Sequence, residues 1–244
     1  MRISHLFSLL AAAALSIFTP SPAQAGPEDG RMEIKPLTEG VWLHTSYGRL
    51  SSGAWYPSNG LVVVVDEQAW IIDTPWPEED TPRLVAWIRE QGWEPAGSLS
   101  THFHDDRASG IGWLNGQAIP TWASYRTNAQ LAERGQALAS KSFDSAEHAF
   151  VEDQVVVFHP GAGHTRDNVV AWLPRHGILF GGCLVRSMST SSMGNVADAS
   201  LADWPVSITR LMQRFPDVET VLPGHGEPGG QELLQHTLRL ARKH

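Results

Sequence analysis

The chain has 244 residues, with 18 lysines and arginines against 26 aspartates and glutamates, for a formal net charge of −8. That balance argues against nucleic acid as a partner, since such binding needs a basic face. One cysteine among 244 residues also rules out an intrachain disulfide framework.

Residues 1–25 read as a secretory leader. Arg2 supplies the basic start, and Leu6 to Phe18 is an apolar run too short to span a bilayer. Pro20 and Pro22 break it, and Ala23-Gln24-Ala25 forms a small-x-small cleavage site before Gly26. The expectation is an exported protein, periplasmic where the host has two membranes and free of the membrane after cleavage. Residues 26–244 then form a single domain long enough for a substantial core. Nothing in the sequence demands more than a monomer.

Short β-rich runs alternate with amphipathic stretches, the pattern of a layered α/β fold. Val41–Thr45, Leu61–Val65 and Trp70–Asp73 read as strands, with Asn59-Gly60 and Asp66-Glu67-Gln68 as turns. Glu78–Gln91 reads as a helix with Leu84, Val85, Trp87 and Ile88 on one side, stopped by Gly92. A short β-type run, Ser98–Thr101, follows. Ala108–Asn115 reads as a short helix, Ile119–Ala123 as a strand and Tyr125–Gly135 as a helix. Residues 136–150 lack clear periodicity and read as a connector. The second half repeats the plan without a sequence repeat: strands at Val155–His159, Val169–Leu173 and Ile178–Phe180, then a helix over Asp203–Phe215. In that helix Trp204, Ile208, Leu211, Met212 and Phe215 form one apolar stripe. A strand at Thr220–Leu222 and a closing helix marked by Leu233, Leu234, Leu238 and Ala241 complete the chain.

Six residues carry the chemistry. His102, His104 and Asp106 sit in THFHDDR, His164 in GAGHTRDN, Cys183 in GGCLV and His225 in PGHG. Each falls at the end of a predicted strand or in the loop after it, where α/β proteins place their sites. Imidazole, thiolate and carboxylate together suit zinc. The spacing of His102 and His104 puts both on one face of an extended or tightly turned backbone. Asp106 could bind the same metal or a neighbouring one. A lone thiol in an oxidising compartment is a liability unless buried or ligated. Arg107 could pair with Asp106 or lie beneath a metal site against Cys183, and Asp73 could orient a ligand loop.

THFHDDR, GAGHTRDN, GGCLV, GNVADA and PGHG, in this order, resemble a class B metallo-β-lactamase of subclass B1 over essentially the whole mature chain. Arg107 stands where the wider superfamily usually has a further histidine, and Cys183 where it has a bridging aspartate. The resemblance implies a four-layer αββα sandwich of two similar halves, with the active site at one edge between the two sheets. It implies two Zn2+ ions: one on His102, His104 and His164, the other on Asp106, Cys183 and His225. The reaction implied is opening of a β-lactam ring by a metal-bound hydroxide, oriented by Asp106, with carbapenems among the small-molecule substrates. Arg186 then matches a residue that binds the substrate carboxylate, and Asn195 one that assists the carbonyl oxygen. In subclass B1 the segment corresponding to Ser46–Ser58 folds over the substrate, with Trp55 and Tyr56 near its base and Trp76 as one wall.

Overall fold

The computed structural model describes residues 31–244; the leader read at residues 1–25 lies outside them. Two sheets pack face to face. The first has seven strands in chain order: β1 (Glu33–Thr38), β2 (Val41–Arg49), β3 (Trp55–Val65), β4 (Gln68–Ile72), β5 (Glu94–Ser100), β6 (Thr121–Ser124) and β7 (Lys141–Phe143). The second runs β12-β11-β10-β9-β8, built from β8 (Glu147–Val151), β9 (Val155–Phe158), β10 (Val170–Leu173), β11 (Ile178–Gly182) and β12 (Thr220–Pro223).

Side-chain alternation produces the layers. Along β3, Leu61 and Val63 enter the core between the sheets, while Val62 and Val64 turn outward to α1 (Asp80–Glu90). Along β11, Ile178 and Phe180 face inward, and Leu179 meets α5 (Trp204–Arg214) and α6 (Gln231–Ala241). The predicted stripe on α5 seats Trp204, Ile208, Leu211 and Phe215 against the second sheet, with Met212 at its margin. Each sheet is thus apolar on both faces and needs a helical cover on its outer one. The expected αββα sandwich is what forms.

The first sheet changes direction of pairing halfway. β1 to β4 are antiparallel neighbours, and β4 to β7 are parallel, joined by α1, by α2 (Asp105–Ala108) with α3 (Ile111–Gly116), and by α4 (Tyr125–Glu133). The Val65–Gln68 hairpin closes over Asp66 and Glu67 at φ 49° and 63°, the twist-matched form of a two-residue turn.

Four sequence expectations are corrected. Asn59-Gly60 is not a turn but the middle of β3: a Cβ on Gly60 would lie 2.3 Å from the His44 ring, so the glycine is a close-approach site. Ser46–Ser58 is mostly paired strand, with Ser46 opposite Ser58 and Arg49 opposite Trp55, leaving only residues 50–54 as the tip. Residues 136–150 hold the edge strands β7 and β8, which link the two sheets; neither is long enough to show alternation. The helix read over Ala108–Asn115 is two short pieces, α2 and α3, broken at Gly110, whose Cβ would lie 2.3 Å from Thr81 Oγ1.

Candidate metal centre

The six residues converge at one edge of the sandwich. His102, His104 and Asp106 come from the loop after β5 and the start of α2, in the first sheet's half. His164 lies between β9 and β10, Cys183 directly after β11, and His225 directly after β12, in the second.

They divide into two contiguous groups. His104 Nδ1 lies 3.1 Å from both His102 Nε2 and His164 Nε2. An ion held tetrahedrally at zinc–nitrogen distances separates its ligand atoms by about 3.3 Å, so the three nitrogens are spaced as a zinc pocket needs. In the second group His225 Nε2 lies 3.2 Å from both Cys183 Sγ and Asp106 Oδ2, with Sγ to Oδ2 at 3.3 Å. His102 Nε2 to Asp106 Oδ1 is 4.0 Å, so the groups share a border. Donor chemistry and spacing both fit zinc.

The backbone around His102 is clamped from two sides. Asp73, at φ 61°, accepts from Thr101 N at 2.6 Å and Thr101 Oγ1 at 2.8 Å, and Asp167 accepts from Phe103 N at 3.1 Å. Beneath the second group sits Arg107, fully buried. Its guanidinium donates to Cys183 Sγ at 3.0 Å and Gly224 O at 2.9 Å, and also to Asn59 O. It pairs with Asp106 at 3.0 Å and Asp73 at 3.4 Å. Both positions considered for Arg107 are therefore occupied at once.

These contacts set protonation. Burial pushes Asp106 up, but Arg107, then His225 and His102, more than offset it and hold the carboxyl well below its usual range. Burial, and then the neighbouring imidazoles, keep His102 well below its ordinary value and take His164 down to about 3. Both rings are neutral, as ligands must be. Burial pushes the Cys183 thiol up against the pull of Arg107, so without a metal it keeps its proton. Burial likewise lifts Asp73 to about 7, opposed by Arg107 and by its bonds from Thr101.

The two groups open on a cleft of about 510 Å3 whose walls include Trp76, Tyr56, Leu50, Arg186 and Asn195. Trp76 stands over Gly48, where a Cβ would come 2.2 Å from its ring, and meets Tyr56 edge-on at 6.5 Å. Tyr56 lies 5.0 Å from the His225 ring. Trp55 is absent from the walls and packs with Arg49 instead. Arg186 is 7% exposed; its backbone N–H donates to Thr237, its Nε is without a partner, and its fork lies under Gly194. Asn195 is exposed; its Oδ1 accepts from Ala197 N, which leaves Nδ2 as the donor.

Residues 53–225 match the family model described as the metallo-beta-lactamase superfamily. The chain belongs to the metallo-β-lactamase superfamily. A metallo-beta-lactamase type 2 of Pseudomonas aeruginosa is 41% identical over 93% of this chain and 91% of its own length. The solved structure of TMB-1 is 45% identical and superposes with a TM-score of 0.85, covering 87% of this chain and 97% of that one. FIM-1 from Pseudomonas aeruginosa, solved in a mono-zinc form, is 36% identical with a TM-score of 0.84, over 89% of this chain and 97% of its own. The B1 metallo-β-lactamase resemblance and the hydrolase assignment are borne out by these relatives.

Two contributors escaped sequence reading. Asp198 Oδ2 lies 2.9 Å from His104 Nε2 and fixes that ring from outside. Asn59 Nδ2 donates to Pro223 O and Gly226 O, which brace the His225 turn. Asp198 lies within GNVADA but carries no periodic signal, and Asn59 reads from the sequence as a turn residue.

Proposed function

We propose that this metallo-β-lactamase is an exported zinc-dependent β-lactam hydrolase with two metal sites, acting on carbapenems among other β-lactams. His102, His104 and His164 hold one Zn2+, and Asp106, Cys183 and His225 hold the other. Zinc supplies Lewis acidity that polarises a carbonyl and makes water nucleophilic near neutral pH. The observation that carries the reading is the pair of three-ligand groups sharing a border and facing one cleft. Three protein ligands per ion leave positions for substrate and water, as a catalytic site requires.

The chain's own residues supply the rest. Asp106 is ionised and held by Arg107, so it is set to accept a hydrogen bond from water and orient it. Arg186 presents a nearly buried guanidinium with no acidic partner among the described ion pairs, suited to the carboxylate that β-lactams carry. Asn195 lines the cleft with its Oδ1 engaged by Ala197 N, and its Nδ2 donates to the carbonyl oxygen as negative charge develops there. Trp76 and Tyr56 form an apolar wall for ring substituents and exclude water from one side. Asp106 and Asn195 are thus assigned to catalysis, and Arg186, Asn195 and Trp76 to substrate binding.

The test is carbapenem ring opening by residues 26–244, followed by absorbance with and without a chelator. Turnover abolished by the chelator and restored by zinc is expected. A folded, zinc-loaded sample that opens no β-lactam refutes the reading.

A further inference from the structure

Arg134 follows the last turn of α4, outside the cleft walls, and touches three separate parts of the molecule. Its guanidinium carbon stands 3.9 Å from the centre of the Phe103 ring, between His102 and His104 in sequence. Its Nη2 lies 3.3 Å from Asp198 Oδ1, and its Nη1 donates to Gln130 Oε1 at 2.9 Å on α4 itself. The other oxygen of Asp198 is the one against His104 Nε2, at 2.9 Å. One carboxylate is thus shared between a candidate ligand histidine and an arginine that also stacks beside that histidine's neighbour.

Asp198 belongs to residues 183–203, the span between β11 and α5 that carries Arg186 and Asn195. Met193 is buried against α5 and α6, and Ser200 N donates to Gly163 O at 2.8 Å. The intervening residues 194–198 are exposed, and Asp198 ties them back to the first half.

We propose that Arg134 is a positioning residue: it acts through Asp198 to set the His104 imidazole and to hold the Asn195 span over the cleft. Arg134 restrains the Asp198 carboxylate, which then accepts from His104 Nε2–H and leaves Nδ1 as the lone pair facing His102 and His164. Phe103 stacking fixes the direction from which the guanidinium reaches. Loss of the arginine frees the carboxylate to swing, and ring orientation and span position relax together. The exposed pair by itself is weak; the effect comes from the histidine it orients. The substrate part of this inference rests on the β-lactam hydrolase reading, and the metal part does not.

The experiment compares Arg134→Gln, Arg134→Lys and Asp198→Asn with the unaltered protein. Zinc affinity of the His102/His104/His164 site is measured by chelator competition, and KM and kcat with a carbapenem. Arg134→Gln is expected to weaken the three-histidine site about tenfold, the low end for residues that orient a ligand, and Asp198→Asn at least as much. kcat/KM falls several-fold in Arg134→Gln with kcat sharing in the loss, because His104 and Asn195 both act on the reacting carbonyl. Arg134→Lys retains the charge and recovers part of both losses. Zinc affinity within about twofold of the unaltered protein in both Arg134→Gln and Asp198→Asn overturns the proposal. So does a lysine variant no better than glutamine. The affinity measurement decides even if no β-lactam is turned over, so failure here is distinguishable from failure of the functional reading.

Discussion

Replacing Arg107 with methionine separates charge from packing at the base of the site. Methionine keeps most of the stem's volume, so little cavity opens. What disappears is a fully buried guanidinium 3.0 Å from Asp106 and 3.4 Å from Asp73, which also donates to Gly224 O and Asn59 O. Removing one partner of a buried ion pair costs about 3–5 kcal/mol, and two buried carboxyls share this one cation, which places the loss at the upper end. At roughly 2–4 °C per kcal/mol for a domain of this size, the metal-free protein should melt about 10–20 °C lower. The assay is urea unfolding of chelator-treated protein at about pH 8 and about pH 5. Without the guanidinium both carboxyls stay buried: the native pKa of Asp106 rises above its unfolded value, and that of Asp73, already raised to about 7, goes higher. A raised carboxyl pKa contributes stability that is present below the unfolded value and lost as pH climbs through the native one. The deficit should therefore shrink in acid. A loss under about 1 kcal/mol, or one equal at both pH values, would refute the assignment of Arg107 as the charge that holds this cluster.

Further outcomes follow from the same geometry. Cys183→Ser should leave one zinc per chain by metal analysis and cut kcat/KM about a hundredfold or more; two retained ions with full activity would remove the thiol from the site. Arg186→Ala should raise KM about tenfold or more for β-lactams bearing a free carboxylate, the worth of one charged hydrogen bond, with a smaller change for a carboxylate ester. Gly48→Ala places a methyl 2.2 Å from the Trp76 ring, so the indole must move; substrate KM should rise with zinc content unchanged. Burial takes the His44 imidazole down to about 3 from 6.5, so its contribution to metal-free stability is full above 6.5 and lost as pH falls toward 3. His44→Gln should flatten that part of the acid unfolding curve.

The layered fold was legible because strands covered on both faces read as short apolar runs, as Leu61–Val65 does; the structure then sends Leu61 and Val63 inward and Val62 outward. The six candidate ligands were legible because few roles demand histidine, cysteine and aspartate together at strand ends. Asn59-Gly60 misled because the dipeptide is a strong turn signal, while here the glycine makes room for His44 and the asparagine braces a turn 164 residues away. Long-range purposes of that kind leave no local trace. Asp198 was missed for a related reason: an exposed aspartate in an irregular span is indistinguishable from a solvated one until His104 is placed beside it.

Each proposed zinc pocket draws ligands from both halves of the sandwich: His102 and His104 meet His164, and Asp106 meets Cys183 and His225. An ion there is a rivet between two sheets otherwise joined at that edge by side-chain contacts and by backbone hydrogen bonds from Asn59 N to Gly224 O and from Val169 N to Thr101 O. Since anything that binds only the native form stabilises it by mass action, zinc supply would set the protein's lifetime as well as the proposed activity. Surroundings that withhold the metal would slow turnover and, at the same time, leave an edge easier to open and to digest.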